Sequence, residues 1–238
     1  MTTQEFSTSF DTLANSYAHK LAYGDQQTLD ITFDEYEKSV FLTEAQDDLV
    51  ISLYNGKYNG SFETTEEMRR YLDNLVKTKV YIPEERVVGT KVSEYSVFYP
   101  KPDDLGFITM EQVVLDDESL GCYNGSIATV YPVTQDEWAR IRKNPFKGPS
   151  KKRVMRLDPG NETVEIISVY NHSQYLMRYL SLPGPIILTN LAGTNLTIKG
   201  EVEETQCALN EALHHVILEN AVQLGLAHKG VTTKQRES

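Results

Sequence analysis

The 238-residue chain has the composition of an ordinary folded protein, with 40% hydrophobic and 24% charged residues, which excludes a disordered chain. Its formal net charge of −11 argues against general binding to DNA or to anionic membranes, because both need a basic face. No apolar run approaches the roughly 18 residues that a membrane-spanning helix needs, and residues 1–11 lack the features of a secretory signal.

The N-terminal third predicts three helices, at about Gln4–His19, Thr32–Tyr54 and Thr64–Thr78. A threonine followed three residues later by Glu or Gln can cap a helix, because its hydroxyl accepts from a backbone N–H that has no other partner. Such patterns begin at Thr32, Thr43 and Thr64. The pattern at Thr43 leaves open a break within the second helix.

After Thr78 the apolar residues follow the spacing of strands. Short segments rich in Val, Ile, Tyr and Phe predict strands at Lys79–Pro83, Glu94–Pro100, Phe107–Leu115, Ser126–Val133, Arg153–Asp158, Thr163–Tyr170, Gln174–Leu180, Pro185–Thr189 and Asn195–Lys199. The turn sequence Asp158-Pro159-Gly160-Asn161 should join two of them in a hairpin. Thr134 and Glu137 predict the cap of a short helix that ends before Pro145.

The last predicted element is a helix at about Glu203–Ala227, with one apolar stripe. The simplest partner for that stripe is the N-terminal helical region. We therefore predict the α+β class: a helical body and a long C-terminal helix, with a β-rich insertion between them. We expect one domain over residues 1–238, with a helical part (1–78), a β-rich part (79–200), the C-terminal helix (201–227) and a flexible tail (228–238).

Candidate catalytic or metal-binding groups are few. His215 and Glu219 have the i, i+4 spacing of metal ligands, but no third ligand accompanies them, so packed or surface histidines are the preferred interpretation. Cys122 and Cys207 are too few for a disulfide framework and are interpreted as small core residues. The acidic run Asp116–Glu118 follows a strand and is typical of a solvated turn. We predict no catalytic residue, no cofactor and no metal.

One segment departs from the acidic character of the chain. It holds 8 basic residues with no acid between them, and a phenylalanine lies among them: Arg140, Arg142, Lys143, Phe146, Lys147, Lys151, Lys152, Arg153 and Arg156. We predict that this basic segment is a protein interface that docks onto an acidic partner. Contact with DNA, with Phe146 and Trp138 available for stacking, is the alternative.

Several stretches resemble structural proteins of crAss-like tailed phages of gut bacteria. They are FDEYEKSVFLTEAQDDLVISLYNG (33–56), VYPVTQDEWARIRKNPFKGP (130–149), KKRVMRLDPGNETVEIISV (151–169), QYLMRYLSLPGPIIL (174–188) and CALNEALHHVILENAVQLGLA (207–227). The resemblance spans most of the chain, and none of these stretches is a signature of a chemical reaction.

The resemblance implies a virion protein made in the host bacterial cytoplasm, and most simply a ring subunit of the head–tail connector. Such a subunit would form a homo-oligomeric ring, by analogy often a dodecamer, and would contact the portal protein and neighbouring ring or tail proteins. It would line a channel through which genomic DNA passes, with no membrane contact. The alternatives are another tail or decoration protein, a nucleic-acid-binding module, and a hydrolase whose site the sequence does not reveal.

Overall fold

The computed structural model describes residues 1–21, 31–57, 62, 65–142, 144, 146–160 and 162–230, with the backbone alone at 18–21. Contacts within the chain group its residues into two compact units. The helical unit comprises Met1–Leu75 and Leu182–Ser238, and the sheet unit comprises Val76–Ser181. The single domain with its four parts stays a prediction.

The described α-helices lie toward both ends of the chain, apart from one within the sheet unit. The α-helices are α1 (Thr3–Leu21), α2 (Glu35–Asn55), α3 (Glu66–Leu72), α4 (Gln135–Ile141) and α5 (His214–His228). Short 3-10 helices occur at Asp73–Leu75, Pro83–Glu85, Glu118–Tyr123 and Glu211–Leu213. With the sheet that lies between the N-terminal and C-terminal helices, this order confirms the predicted α+β class.

Helix α2 begins at a cap other than the predicted one. Asp34, not Thr32, accepts a hydrogen bond from the backbone N–H of Glu37 at 2.7 Å, and the Glu37 side chain accepts one from the N–H of Asp34. The helix continues through Thr43 without a break and ends at Asn55. Gly56 follows as its C-cap, with a left-handed backbone (φ 78°) that suits glycine. The predicted cap at Thr64 lies outside the described residues, and the third helix ends at Leu72 rather than Thr78.

The predicted partnership between the terminal helices is confirmed. Helix α5 packs against α1 and α2. Gly225 of α5 lies where a Cβ atom would come within 3.1 Å of the Phe33 ring, so a larger residue there would require that ring to shift by a few tenths of an ångström. The predicted start of the C-terminal helix at about residue 203 is wrong, because the α-helix begins at His214.

Residues 182–213 form an irregular segment that side chains of α2 hold in place. The backbone N–H of Leu188 donates to the Ser39 hydroxyl at 3.0 Å, and that of Ile186 donates to the Thr43 hydroxyl at 3.0 Å. Gln46 donates to the carbonyl of Gly184 at 2.8 Å. The strands predicted at Pro185–Thr189 and Asn195–Lys199 are therefore wrong: their backbone pairing is limited to isolated bridges, and α2 supplies other partners.

The sheet unit is built on seven strands. They are β1 (Val76–Tyr81), β2 (Ser96–Pro100), β3 (Leu105–Leu115), β4 (Ile127–Pro132), β5 (Arg153–Leu157), β6 (Thr163–Ile167) and β7 (His172–Ser181). Their order in the sheet is β1-β7-β3-β4-β5-β6-β2, with β4 and β5 parallel and all other pairs antiparallel. The predicted hairpin is confirmed, because β5 pairs with β6 across its turn.

The sheet curls until its two outermost strands meet. Tyr81 of β1 and Tyr99 of β2 lie at opposite ends of the strand order, yet their ring centroids are 5.3 Å apart. Tyr175 of β7 packs against both rings, at 5.5 Å and 5.2 Å. All three tyrosines are fully buried, so the concave side of the sheet encloses an aromatic core and the convex side is left for other contacts.

Candidate subunit interface

Helix α4 and the loop after it carry the first half of the predicted basic segment. Thr134 caps the helix as predicted, accepting from the backbone N–H of Glu137 at 3.2 Å. Arg140 and Arg142 are both exposed, and Arg142 lies at the end of the helix. Lys143 lies outside the described residues.

Phe146 is displayed on an anchored loop. Its backbone N–H donates to the side-chain oxygen of Asn144 at 2.9 Å, and the N–H of Gly148 donates to the carbonyl of Asn144 at 2.8 Å. The Arg153 guanidinium donates to the carbonyls of Phe146 and Lys147, each at 3.4 Å. Although the loop is held this way, the Phe146 side chain is 90% exposed. An exposed aromatic side chain on an ordered backbone can be buried by a partner at little cost in conformational entropy.

Aromatic and cationic side chains cluster beside this loop. The Lys151 ammonium lies 3.8 Å from the centre of the Tyr123 ring, and the Arg153 guanidinium lies 5.4 Å from that of Tyr131, both within the range of cation–π attraction. Ile127 of β4 is 61% exposed. We name this set the cationic–aromatic surface, and its members are Tyr123, Ile127, Tyr131, Phe146, Lys147, Lys151, Lys152 and Arg153.

The cationic–aromatic surface is not flat. A depression of 570 Å³ lies between α4 and strands β4 and β5, and Tyr131, Phe146, Lys147 and Arg153 line it. Apolar rings, cationic side chains and a concave floor together favour a partner that presents carboxylates around an apolar contact.

Arg156 does not join the exposed basic residues. On β5 it points to the side opposite Arg153 and forms ion pairs with Glu111 at 2.5 Å and with Asp158 at 3.2 Å. Tyr175 donates a hydrogen bond to the second oxygen of Glu111. The structure therefore places Arg156 within the curled sheet, where it compensates a buried carboxylate.

The polar groups inside the curled sheet have shifted pKa values. Burial raises the pKa of Glu111, against the opposing effect of the Arg156 charge. Burial, with a contribution from Arg86, lowers the pKa of His172 to about 4. The His172 ring lies 2.9 Å from the Tyr99 hydroxyl. Glu111 is hydrogen-bonded to Arg156 and Tyr175, and His172 to Tyr99, so both groups have partners within the core and support it.

The other candidate groups do not assemble into a chemical site. His215 and Glu219 form an exposed ion pair at 3.3 Å, whereas His214 is buried and contacts the carbonyl of Leu209. Among the described residues, no three His, Cys, Asp or Glu side chains are grouped as metal ligands would be. Cys122 is exposed, so its interpretation as a core residue is wrong. No helix in the described part of the chain is long and apolar enough to span a membrane.

The acidic run after β3 forms an ordered turn. Asp117 caps the 3-10 helix Glu118–Tyr123 by accepting from the N–H and the hydroxyl of Ser119, and it also accepts from the backbone N–H of Asn171. These hydrogen bonds lower the pKa of Asp117. The run is thus part of the turn, as its sequence indicates.

The net charge is divided unequally between the two units. Within Val76–Ser181 the basic residues number 14 and so do the acidic ones, so the sheet unit has no net charge. The helical unit carries the whole −11. The acidic surplus of the chain therefore lies in the helical unit, and not in the unit that carries the cationic–aromatic surface.

Comparisons with known proteins identify a family and two relatives. The family model for phage tail ring protein 3/4 matches residues 1–237. Ring protein 3 of Bacteroides phage crAss001 is 48% identical over 241 residues, covering 100% of both chains. Ring protein 4/5 of the same phage is 28% identical over 237 residues, covering 95% of this chain and 93% of its own.

The chain belongs to the phage tail ring protein 3/4 family. The resemblance to crAss-like phage structural proteins is thereby confirmed, and the protein is a ring component of the virion tail. The family match covers both the helical unit and the sheet unit, so the cationic–aromatic surface lies within the matched part of the chain.

Sequence reasoning missed three members of the cationic–aromatic surface, namely Tyr123, Ile127 and Tyr131. The sequence of β4 does contain a pattern that could have revealed two of them, because the exposed Ile127 and Tyr131 alternate with the buried Ala128 and Val130. Period-two alternation places the odd-numbered residues on the convex side, next to the basic segment.

Proposed function

We propose that this ring protein is a subunit of the head–tail connector. In this proposal its copies form a homo-oligomeric ring, with a dodecamer as the expected size, stacked between the portal and the rest of the tail. Portal protein and neighbouring ring or tail proteins are the partners. The observation that carries the proposal is the family match over residues 1–237, together with a relative that is aligned over its whole length and is named a ring protein.

The cationic–aromatic surface is proposed as a contact between copies. Identical subunits that each carry −11 repel one another unless opposite charges meet at their contacts. Lys147, Lys151 and Lys152 are exposed and form no ion pair with the described residues, so they are available to a neighbour. Phe146 supplies the apolar anchor that a stable interface needs.

The acidic surplus suits a ring through which DNA passes. In this proposal carboxylates of the helical unit line the channel and repel the phosphate backbone, so that the genome is cargo and not a ligand. The surplus is large enough for this role because that unit carries the entire net charge.

The connector proposal is tested by negative-stain electron microscopy of the purified protein, alone and after mixing with the portal protein of the same genome. Rings, or a new layer on the portal, are the expected result. A monodisperse monomer that ignores the portal would overturn the proposal and favour another tail or decoration role.

Nucleic-acid binding is the second candidate function, because the Lys151–Tyr123 and Arg153–Tyr131 pairs combine cations with rings on which bases could stack. A mobility-shift titration with single-stranded and double-stranded DNA, at about 50 mM and about 200 mM salt, separates nucleic-acid binding from the connector role. Phosphate contacts weaken steeply as the salt concentration rises. We expect no salt-sensitive shift, and a strong one would favour the second candidate.

A further inference from the structure

A ring of identical copies needs two different surfaces on each copy. A contact between two identical patches closes a dimer, whereas a head-to-tail contact between unlike patches can close a ring. If the cationic–aromatic surface is one half of the contact, the other half must be acidic, concave and exposed. It must also lie elsewhere on the same chain.

A groove on the helical unit has these properties. Its volume is 640 Å³, and it is lined by Glu66, Glu67, Arg70, Tyr71, Asn210 and Ala212. Helix α3 forms one wall and the segment before α5 forms the other. The side chain of Asn74 donates to the carbonyl of Ala208 at 3.4 Å and so links the two walls. We name it the acidic groove.

The two carboxylates that line this groove have no ion-pair partner among the described residues. Some acids of the helical unit are compensated by lysines: Lys38 pairs with Asp11 and Glu35, Lys199 with Asp47, and Lys229 with Glu37. Glu66 and Glu67 are exposed and form no ion pair with any described residue, and they outnumber the one cation of the lining, Arg70. Asp73 and Glu211, which are close in sequence to residues of the lining, are also exposed and form no ion pair with a described residue.

The groove also offers a partly apolar floor. Tyr71 donates a hydrogen bond to Glu67 at 2.7 Å, which fixes the ring against the helix and raises the pKa of the tyrosine. Ala212 and the Tyr71 ring can contact an aromatic side chain, while Glu66 and Glu67 at the rim can accept hydrogen bonds from ammonium groups.

We propose that the acidic groove of one copy receives the cationic–aromatic surface of the next copy in the ring. Phe146 enters the groove, and Lys151 and Lys152 face Glu66 and Glu67. This inference rests on the proposed ring assembly and names its two contact surfaces. The occupant is a second copy, because the same chain carries an exposed aromatic residue beside lysines on one unit and, on the other, a concave site whose lining holds two carboxylates and a single cation.

Two charge reversals test the pairing. The first variant is Lys151→Glu with Lys152→Glu, which leaves Arg153 in place because Arg153 anchors the loop. The second variant is Glu66→Lys with Glu67→Lys. All four side chains are exposed, so circular dichroism and melting temperature are expected to match the wild type.

Each variant alone should fail to form rings, as seen by sedimentation velocity and electron microscopy at concentrations where the wild type assembles. The expected loss of affinity per contact is on the order of a hundredfold or more, since like charges then face each other. Glu44→Lys with Asp48→Lys is the matched control. It makes the same charge change at exposed positions of α2 and should leave assembly unchanged.

Mixing the two variants gives the decisive result. In a ring where the two variants alternate, every contact again joins opposite charges. Native lysines face native glutamates at one contact, and introduced glutamates face introduced lysines at the next. Rings that form only in the mixture support the pairing. A different outcome would reject the groove alone: the variant with Lys151→Glu and Lys152→Glu fails to assemble, the variant with Glu66→Lys and Glu67→Lys assembles normally, and mixing rescues nothing. The acidic groove is then not the counterpart, and the proposed function stands. If the wild type forms no ring, alone or on the portal, the proposed function falls and this inference falls with it.

Discussion

Tyr81 donates a hydrogen bond to the backbone carbonyl of Pro100 at 2.6 Å, joining the two strands that lie at opposite ends of the sheet order. The bond is made by a side chain, and no backbone pairing between β1 and β2 accompanies it among the described strands. The two edges of the sheet are therefore held together mainly by the buried rings of Tyr81, Tyr99 and Tyr175.

Removing the Tyr81 ring should open this closure. Tyr81→Ala leaves a cavity between the two edges and should lower the free energy of unfolding by about 3–5 kcal/mol. Tyr81→Phe removes only the hydrogen bond and should cost about 1 kcal/mol. Denaturant titration measures both, and Tyr95→Phe at an exposed tyrosine is the control. Equal costs for the two Tyr81 variants would contradict the role of the ring.

The Glu111–Arg156 pair should be structural and not part of an interface. Arg156→Met leaves the Glu111 carboxylate buried without its cation and should destabilise the protein by about 3–5 kcal/mol. Adding Glu111→Met should recover much of the loss, because no uncompensated charge then remains. Arg178→Met, at an exposed arginine of β7, is the control. If the Arg156→Met protein had unchanged stability but impaired assembly, Arg156 would instead be assigned to the contact between copies.

His172 should make the protein less stable in mild acid. The unfolded chain binds a proton at this histidine near its ordinary pKa of 6.5, whereas the folded state resists until about 4. The contribution of His172 to the free energy of unfolding is thus complete above pH 6.5. As the pH falls toward 4, this contribution decreases by about 3 kcal/mol.

The measurement is melting temperature against pH for the wild type and for His172→Gln. Glu111 changes stability in the opposite sense, because a raised carboxyl pKa favours the folded state as the pH falls, so the difference between the two proteins isolates His172. His215→Gln, at an exposed histidine, should leave the wild-type profile intact. Parallel curves for the wild type and His172→Gln would refute the assignment.

The two cysteines should react at different rates. Cys122 is exposed, whereas Cys207 donates to the Gln46 side chain at 3.2 Å and burial raises the pKa of its thiol. At about pH 8, a thiol-specific reagent should label Cys122 at least about tenfold faster than Cys207, because the thiolate is the reactive form. Cys122→Ser should abolish the fast phase, and its persistence would mean that Cys207 is accessible.

Phe146 should matter for assembly and not for folding. Its side chain is 90% exposed, so Phe146→Ser should leave the melting temperature unchanged within about 2 °C. If Phe146 anchors the contact between copies, the same change should weaken assembly by about tenfold to a thousandfold. Val88→Ser is the matched control, since Val88 is also fully exposed. A Phe146→Ser protein that assembles like the wild type would remove the anchor from the proposal.

Much of the fold could be predicted because local signals and tertiary packing agree. The hairpin turn, the cap at Thr134 and the apolar stripe of α5 each act through neighbouring residues. The cap of α2 was predicted at the wrong residue because Thr32 and Asp34 each precede a suitable glutamate by three positions, and the pattern does not rank them. Residues 185–189 have strand composition, but hydroxyl and amide groups of α2 supply their partners, which no local pattern reveals.

The candidate site was predicted in part for a similar reason. A run of charges along the chain says which residues are close in sequence, whereas a strand divides its residues between two sides. Arg153 and Arg156 are three positions apart and therefore point to opposite sides of β5, one to the surface and one to Glu111. The acidic groove could not be predicted, because its two walls come from segments more than a hundred residues apart, as the Asn74–Ala208 hydrogen bond shows.

The chain enters the sheet unit at Val76 and leaves it after Ser181, and Val76 is the register partner of Leu180. The first and last strands of the unit are thus direct neighbours, with their ends about 5 Å apart. A segment whose two ends meet can be exchanged as a cassette without altering the path of the remaining chain. Ring proteins that share the helical unit could in this way acquire different contact surfaces by replacing one insert, so that the layers of a tail diverge while their helical framework is retained.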